Sequence, residues 1–322
     1  MKGSKEPTTI PLVSVCIITY NQVEFMHETL QSALQQDYAN IEIIVADDGS
    51  TDGTAEIIID YARKFPGKIV SLIGGPNLGV TGNSNRGLRA CKGQYVAFMG
   101  GDDTLLPCKI TKQVAWLESD KDRVLCYHDV DVYDSETGKT IYLWSQKYRL
   151  RMGNAREVVK NGNFFAAMSV MVRYPHELNI VFNENIKVAS DFFMWIEILE
   201  RQSGSFGYVE GVYSRYRRHL NNVSSTGGSL YLHDSLATLD AIETLAPNKY
   251  DWECNQKRSE TYLIEAHRRI WNKDYWIVFS LLLRSFCACH GFWMAPARIL
   301  LRKIKAVRYG GFKVRVQRGR VD

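Results

Sequence analysis

The chain has 322 residues, 45% of them apolar and 23% charged. That balance excludes a fibrous or disordered chain and accommodates one large α/β domain with an appendage. The formal net charge of +5 conceals an asymmetry, because Arg298 to Val321 holds nine basic residues and no acidic one while the remainder carries 31 basic and 35 acidic residues.

In chain order, MKGSKEPTTI lacks the apolar core of a signal peptide, and no window offers the roughly 18 uninterrupted apolar residues of a membrane span. A cytoplasmic protein is expected. LVSVCIITY reads as a buried strand, and VEFMHETLQSALQQ sets Met26, Leu30, Ala33 and Leu34 on one helical face. IEIIVAD is the next strand, and TAEIIIDYARKF a helix with Ile57, Ile58, Tyr61, Ala62 and Phe65 on one side. KIVSLIGG and GQYVAFMG complete four strands. Uniformly apolar strands separated by amphipathic helices predict a mainly parallel sheet covered on both faces. Such sheets bind ligands beyond the carboxyl ends of their strands, where TYNQ (Thr19 to Gln22), DDGS (Asp47 to Ser50) and GGDD (Gly100 to Asp103) all fall.

Adjacent carboxylates such as Asp47 and Asp48 repel by about 1 kcal/mol in water and by several in a cleft, so they call for compensation. Asp48, Ser50, Asp52 and Gly53 match the first half of an EF-hand loop, but its twelfth position is Ile59 and a strand precedes it. Turn and capping chemistry would also explain the loop. A second acidic pair, Asp102 and Asp103, ends another strand of the same sheet. Two pairs converging on one crevice point to a divalent cation with a polyphosphate ligand. The Rossmann and Walker glycine loops are both absent, and GNSNRG fails as a serine-hydrolase elbow because Arg86 stands at its second glycine position.

Beyond Ser119, VLCYHDVDVYDSETGKTIYLW alternates like a half-exposed hairpin, with His128, Asp129 and Asp131 on its wet face rather than in catalysis. NGNFFAAMSVMVRY is core-like. VASDFFMWIEILER reads as a helix opened by Ser190 and Asp191, with Phe193, Trp195, Ile196 and Leu199 toward the core. YSRYRRHLNNVSS carries His219 among arginines, and helical sequence follows Gly228, with Leu232, Leu236, Leu239 and Ile242 spaced for burial. The seven cysteines are scattered and mostly lie in apolar runs, as expected of reduced core thiols, and CACH at Cys287 to His290 has no second ligand pair.

The ordered pieces VSVCIITYN, ALQQDYANIEIIVADDGSTDGT, NLGVTGNSNRGLRACKGQYVAFMGGDD, SDFFMWIEIL and YRRH with the later Ser224 resemble family 2 glycosyltransferases of the GT-A fold, from about Pro11 to Ser225. The resemblance implies an α/β GT-A domain over residues 1–225, and the residue pattern beyond it predicts a helical region with a basic amphipathic tail over 226–322. It further implies an inverting, metal-dependent transfer of a single sugar from a nucleotide diphosphate, with a UDP-sugar the expected donor, to an acceptor hydroxyl. Bacterial surface glycans such as lipopolysaccharide, capsule or exopolysaccharide would be its setting. Carried over residue by residue, Thr19, Tyr20 and Asn21 with Asp47 and Asp48 line the nucleoside pocket, and Asn85 lies near the base. Asp102 and Asp103 bridge Mg²⁺ or Mn²⁺ to the diphosphate, His219 neighbours the diphosphate or metal, and Asp191 is the general base. Two positions depart from the family pattern. Gly100 replaces the first carboxylate of Asp-x-Asp-Asp, and Ser84 stands where many members have arginine.

A processive synthase would carry Gln-x-x-Arg-Trp and membrane spans, and a nucleotidyltransferase a glycine-rich phosphate loop; this sequence has none of these. The alternative from another class is a catalytically silent module that binds nucleotide sugars. From Tyr275 to Tyr309, Trp276, Phe279, Leu282, Phe286, Phe292, Trp293, Leu300, Leu301 and Ile304 interleave with Arg284, Arg298, Arg302, Lys303, Lys305 and Arg308. That pattern describes a helix lying in an anionic membrane interface on the inner face of the cytoplasmic membrane, where a lipid-linked glycan acceptor would be reached. Nucleic-acid binding is not expected, because no matching motif accompanies the basic tail.

Overall fold

The computed structural model describes residues 10–220, 222, 230–271 and 274–288. Strands β1 (Val13–Thr19), β2 (Ile41–Asp47), β3 (Ile69–Leu72) and β4 (Tyr95–Gly100) pair in parallel in the order β3-β2-β1-β4. Helices α1 (Val23–Leu34), α2 (Thr54–Lys64) and α3 (Gly79–Ala90) make the crossovers. Alternate residues of a strand serve opposite faces. Val13, Val15 and Ile17 pack with Met26, Leu30, Ile58 and Tyr61, while Cys16, Ile44, Val96 and Phe98 join Leu88 and Trp195 on the other side. Helix α3 has little apolar stripe and lies close on the sheet through Gly87, where a Cβ would stand 2.8 Å from the Cys16 sulfur.

The sheet continues through β5 (Thr104–Leu105), β6 (Arg123–Asp134), β7 (Thr140–Leu143), β8 (Met171–Arg173) and β9 (Ser205–Arg218), giving the path β3-β2-β1-β4-β8-β6-β9-β5 with β7 beside β6. Strand β8 runs antiparallel to β4 and β6, whereas β6 and β9 are parallel. Helices α4 (Lys109–Glu118), α5 (Trp144–Lys147), α6 (Ala155–Asn161) and α7 (Ser190–Arg201) cover this half.

The hairpin of β6 and β7 is present, but its wet face is not. His128 and Asp129 are buried, because β6 is an interior strand between β8 and β9 and not an edge. Lys109, fully buried at the start of α4, acts on His128. Burial first, then the Lys109 charge, holds the imidazole well below its ordinary pKa, and burial lowers Lys109 itself to about 7. The polar alternation in β6 therefore marks a buried polar seam.

The chain divides into two compact units after Cys254. In the first, the helix Tyr231–Leu245 adds Leu239 and Ile242 to the core around α7. Cys16, Cys91, Cys126 and Cys254 are buried free thiols. In the second unit, the helix Tyr275–Ala288 buries Val278, Leu281 and Ser285, and the Ser285 hydroxyl lies 2.8 Å from that of Ser259. Tyr275, Trp276, Phe279, Leu282, Leu283 and Phe286 are exposed. Among the described residues no helix is long and apolar enough to cross a membrane. Ser224, Cys289, His290 and the tail from Phe292 through Arg308 lie outside the described residues.

Candidate active site

The loops after β1 and β2 are laced together. Asn21, in the left-handed conformation at φ 52°, accepts from the Thr51 backbone N–H, and its own N–H donates to the Ser50 hydroxyl. The backbone N–H groups of Gln22 and Val23 donate to the Thr54 hydroxyl and the Asp52 carboxylate. Asp52 is thus a turn and helix-start residue, its carboxylate held below the ordinary range by the Thr54 hydroxyl and by backbone N–H groups despite the opposing effect of burial. Asp47, buried, accepts from the Ser50 backbone and hydroxyl. Asp48, also buried, accepts from the Leu78 N–H at 2.7 Å. The Arg86 guanidinium donates to the Asp47 carbonyl at 2.9 Å. Tyr20 is half exposed, and the Thr19 hydroxyl donates to Gln22 at 2.9 Å.

The pair after β4 is held from the far end of the sheet. Asp102 Oδ2 lies 2.9 Å from His219 Nε2 and accepts from Asn222 at 3.2 Å. Asp103 Oδ1 accepts from the Arg217 backbone N–H at 3.1 Å. The Arg217 side chain donates to the Asp102 carbonyl at 2.8 Å and to Glu28 on α1, and its guanidinium lies over the Phe25 ring. Burial, reinforced by the neighbouring Asp102 charge, pushes the Asp103 carboxyl well above the ordinary carboxylate range. Gly100 and Gly101 are glycines for contact reasons. A Cβ at Gly100 would stand 2.7 Å from Asp102 Oδ1 and 3.2 Å from Asp103 Oδ2, and one at Gly101 would stand 2.5 Å from the Thr19 hydroxyl. The departure from Asp-x-Asp-Asp at Gly100 thus leaves room for the two carboxylates that remain.

Asp191 opens α7. Its Oδ1 accepts from the Phe192 N–H at 2.8 Å and its Oδ2 from Asn163 at 3.2 Å. Burial raises its pKa above the ordinary value, with the Asn163 bond opposing. The segment before it is anchored twice: Thr81 of α3 donates to the Ile186 carbonyl, and Asp234 accepts from the N–H groups of Lys187, Val188 and Ala189.

The structure therefore joins Asp102, Asp103 and His219 in one cluster and interlocks the Thr19–Asn21 loop with the loop that Asp47 and Asp48 begin. Asn85 has another duty. Its amide donates to the Phe182 carbonyl and Glu184 and accepts from the Phe182 N–H, so every polar atom of the buried side chain is engaged by protein. Ser84 bonds back to the Val80 carbonyl within α3. Sequence reasoning missed Arg217, Glu28, Asn222, Asn163 and Asp234 as holders of the site residues. The arginines of YRRH were the one visible signal.

A metal fits this chemistry with few protein donors. Among the described residues no three His, Cys, Asp or Glu side chains converge as a metal site. Asp102 and His219 nevertheless bring a carboxylate and an imidazole to one point, with Asp102 Oδ1 and Asp103 Oδ2 over Gly100. One or two carboxylates completed by phosphate oxygens and water is the usual environment of Mg²⁺ beside a nucleotide.

A parallel βαβ sheet with two acidic pairs at its strand ends, extended by a mixed half and C-terminal helices, is the GT-A arrangement. TarS residues 1–349 of S. aureus, solved in complex with UDP-GlcNAc, superimpose with a TM-score of 0.60 over 92% of this chain and 89% of that one, at 16% identity. A mannosyltransferase of Pyrobaculum calidifontis in complex with GDP-Man and Mn²⁺ gives 0.55 over 95% and 84%, also at 16%. The pattern of the family described as Glycosyl transferase family 2 matches residues 14–177, and the chain belongs to that family. An uncharacterized glycosyltransferase of Haemophilus influenzae is 30% identical over 244 residues, 72% of each chain. The Escherichia coli protein named UDP-Glc:alpha-D-GlcNAc-diphosphoundecaprenol beta-1,3-glucosyltransferase WfaP is 38% identical over 110 residues, 34% of this chain and 43% of that one. An uncharacterized Mycobacterium tuberculosis protein is 36% identical over 129 residues, and the match spans only 37% of its length.

Proposed function

We propose that the chain is an inverting, metal-dependent glycosyltransferase that moves one sugar from a nucleotide diphosphate, a UDP-sugar, to a hydroxyl of a bacterial surface glycan or its lipid-linked precursor. Residues 1–225 carry donor binding and chemistry, and 226–322 form the helical region. The observation that carries the reading is the meeting of Asp102 with His219 and Asn222 after β4, with Asp103 beside it over Gly100, while a carboxylate of raised pKa, Asp191, opens α7. The donor named for WfaP and those bound by the two solved structures support a nucleotide-sugar donor, and the acceptor in the WfaP name supports a lipid diphosphate.

In this reading Thr19, Tyr20, Asn21, Asp47 and Asp48 receive the nucleoside. Asp48 accepts from it, Tyr20 covers it, and Asn85 shapes the pocket from behind by fixing residues 182–184. Asp102, Asp103 and His219 would hold Mg²⁺ or Mn²⁺, which supplies Lewis-acid stabilisation of the charge on the departing diphosphate. Asp191 takes the proton of the acceptor hydroxyl as the hydroxyl oxygen attacks the anomeric carbon from the side opposite the phosphate, and this proton transfer contributes about 10² to 10⁴ in rate. The raised Asp191 pKa brings the carboxylate closer to the acceptor's proton affinity.

Incubating the purified chain with a panel of nucleotide sugars, Mn²⁺ and glycan acceptors tests the reading through nucleoside diphosphate release. Release that requires acceptor is expected. Donor binding without any turnover would instead favour a silent binding module. Peripheral attachment to anionic membrane belongs to the same proposal, supported by the exposed Trp276 and Phe279 and by the nine basic residues from Arg298 to Val321. In flotation with anionic vesicles at low salt, the full chain should float and a chain ending at Gly291 should not. Equal recovery of both in the soluble fraction would refute it.

A further inference from the structure

Asp129 places a carboxylate inside the interior strand β6, where it costs stability unless donors surround it. Its Oδ1 accepts from the Val130 N–H at 2.9 Å and from the Ser145 N–H at 2.8 Å, and its Oδ2 accepts from the Ser145 hydroxyl. Two of these three donors belong to one residue, the second of α5. Asp129 thereby fixes the start of α5 and with it Trp144, the residue before Ser145. Trp144 Nε1, with a single hydrogen to give, donates it to the Phe164 carbonyl at 2.8 Å. The same indole packs with Ala166, Met168 and Val130 of β6.

Asn163 stands immediately before this pinned segment. Its Oδ1 accepts from the Phe165 N–H at 3.3 Å, which turns the amide nitrogen outward, and Nδ2 donates to Asp191 Oδ2 at 3.2 Å. Asn163 is itself exposed, so its amide owes its orientation to the loop that carries it rather than to burial. The other oxygen of Asp191 accepts from the Phe192 N–H. Held at both oxygens, the carboxylate keeps one orientation; held at one, it can turn. We propose that Asp129 and Trp144 are positioning residues for Asp191, acting through Ser145 and Asn163 to hold its carboxylate where it receives the acceptor's proton. The inference rests on the transferase reading above, in which Asp191 is the base. A misplacement of about 1 Å at such a group can cost about 10²-fold in rate. Burial raises the Asp191 pKa, and the Asn163 bond opposes it together with the backbone N–H groups of Phe192 and Asp191. Loosening the Asn163 loop therefore moves that pKa further up, which gives the linkage a readout of its own.

The test follows the Asp191 carboxyl carbon by NMR across pH, its signal identified by its loss in Asp191→Asn, and measures kcat alongside. The variants are Asn163→Ala, Trp144→Phe, which loses the N–H and keeps an aromatic ring, and the two combined. The titration midpoint should lie above the wild-type value in all three. Turnover should fall about tenfold in Asn163→Ala and about threefold in Trp144→Phe, and the double variant should be no worse than Asn163→Ala, because both changes act on one contact. UDP affinity within about twofold of the wild type reports an intact fold. A midpoint unmoved by Trp144→Phe, or losses that multiply in the double variant, would overturn the positioning role. If Trp144→Phe fails to bind UDP, Ser145→Ala, which removes only the hydroxyl held by Asp129, decides by the same titration, and a wild-type midpoint there overturns the role. A wild type inactive with every nucleotide sugar would instead overturn the transferase reading, while the carboxyl titration still reports on the positioning.

Discussion

Asp47 and Asp48, at the end of β2, are satisfied by the backbone and hydroxyl donors of neighbouring loops, whereas Asp102 and Asp103, after β4, are held by Arg217, His219 and Asn222 from the far end of the sheet. The first pair needs no cation, because N–H groups already compensate it. The second pair is crowded over Gly100, and one of its members is driven toward protonation by burial and by its neighbour. The same residue type at equivalent strand ends is thus held in two different ways, and the proposed function gives the two pairs different jobs, hydrogen bonding to a nucleoside and charge neutralisation at a diphosphate.

Substitutions can break that contrast. The largest effect is expected at Asp191, which belongs to neither pair. Asp191→Asn should lower turnover by about 10² to 10⁴ while donor affinity persists. Because burial raises the Asp191 pKa above the ordinary 3.8, the acid limb of the wild-type kcat/KM profile should have its midpoint above 3.8 and vanish in the variant. Loss of donor binding together with turnover would make Asp191 a structural residue. Asp102→Asn comes next, with turnover down about 10² to 10³ and the metal requirement lost. Full activity of the wild type in excess chelator would refute that role.

Arg217→Gln sharpens the contrast, since it touches only the second pair. Metal affinity should fall about 10- to 100-fold in a calorimetric titration, as when a residue supporting a metal ligand is removed, with metal-free UDP affinity unchanged. The smallest effect is expected at Asp234. Its carboxylate lies below the ordinary range because the N–H groups of Lys187, Val188 and Ala189 outweigh burial, which acts to raise it. Its stabilisation is therefore present above about pH 4, the unfolded-state region, and is lost as pH falls through the lower folded value. Denaturant melts of Asp234→Ala should show about 1–3 kcal/mol less stability at pH 7, with the gap closing toward pH 2.

Much of the fold was legible because apolar periodicity carries it. The strands β1, β2 and β4 and the helices α1, α2 and α7 follow directly from spacing. Helix α3 was not, since the face it buries includes Thr81, Asn83, Ser84, Asn85 and Gly87, and tertiary hydrogen bonds rather than apolar area hold it. The polar alternation of β6 misled because a half-buried strand and an interior strand with a polar seam share one pattern. In the site, the acidic pairs stood out as local anomalies at strand ends. Their partners did not, because Glu28 and Arg217 are 189 residues apart in sequence and Asn163 and Asp191 are 28 apart, separations at which no local pattern links them.

The central claim, one crevice with two acidic pairs in different roles, is tested most directly by UDP affinity measured with and without Mn²⁺ in the wild type, Asp48→Asn and Asp102→Asn. The account predicts that Mn²⁺ strengthens UDP binding to the wild type by tenfold or more, about 1.4 kcal/mol. Asp48→Asn should weaken binding by the same factor in both conditions, and Asp102→Asn should lose only the gain from metal. Affinity indifferent to Mn²⁺, or an Asp102→Asn variant as weak without metal as Asp48→Asn, would contradict it.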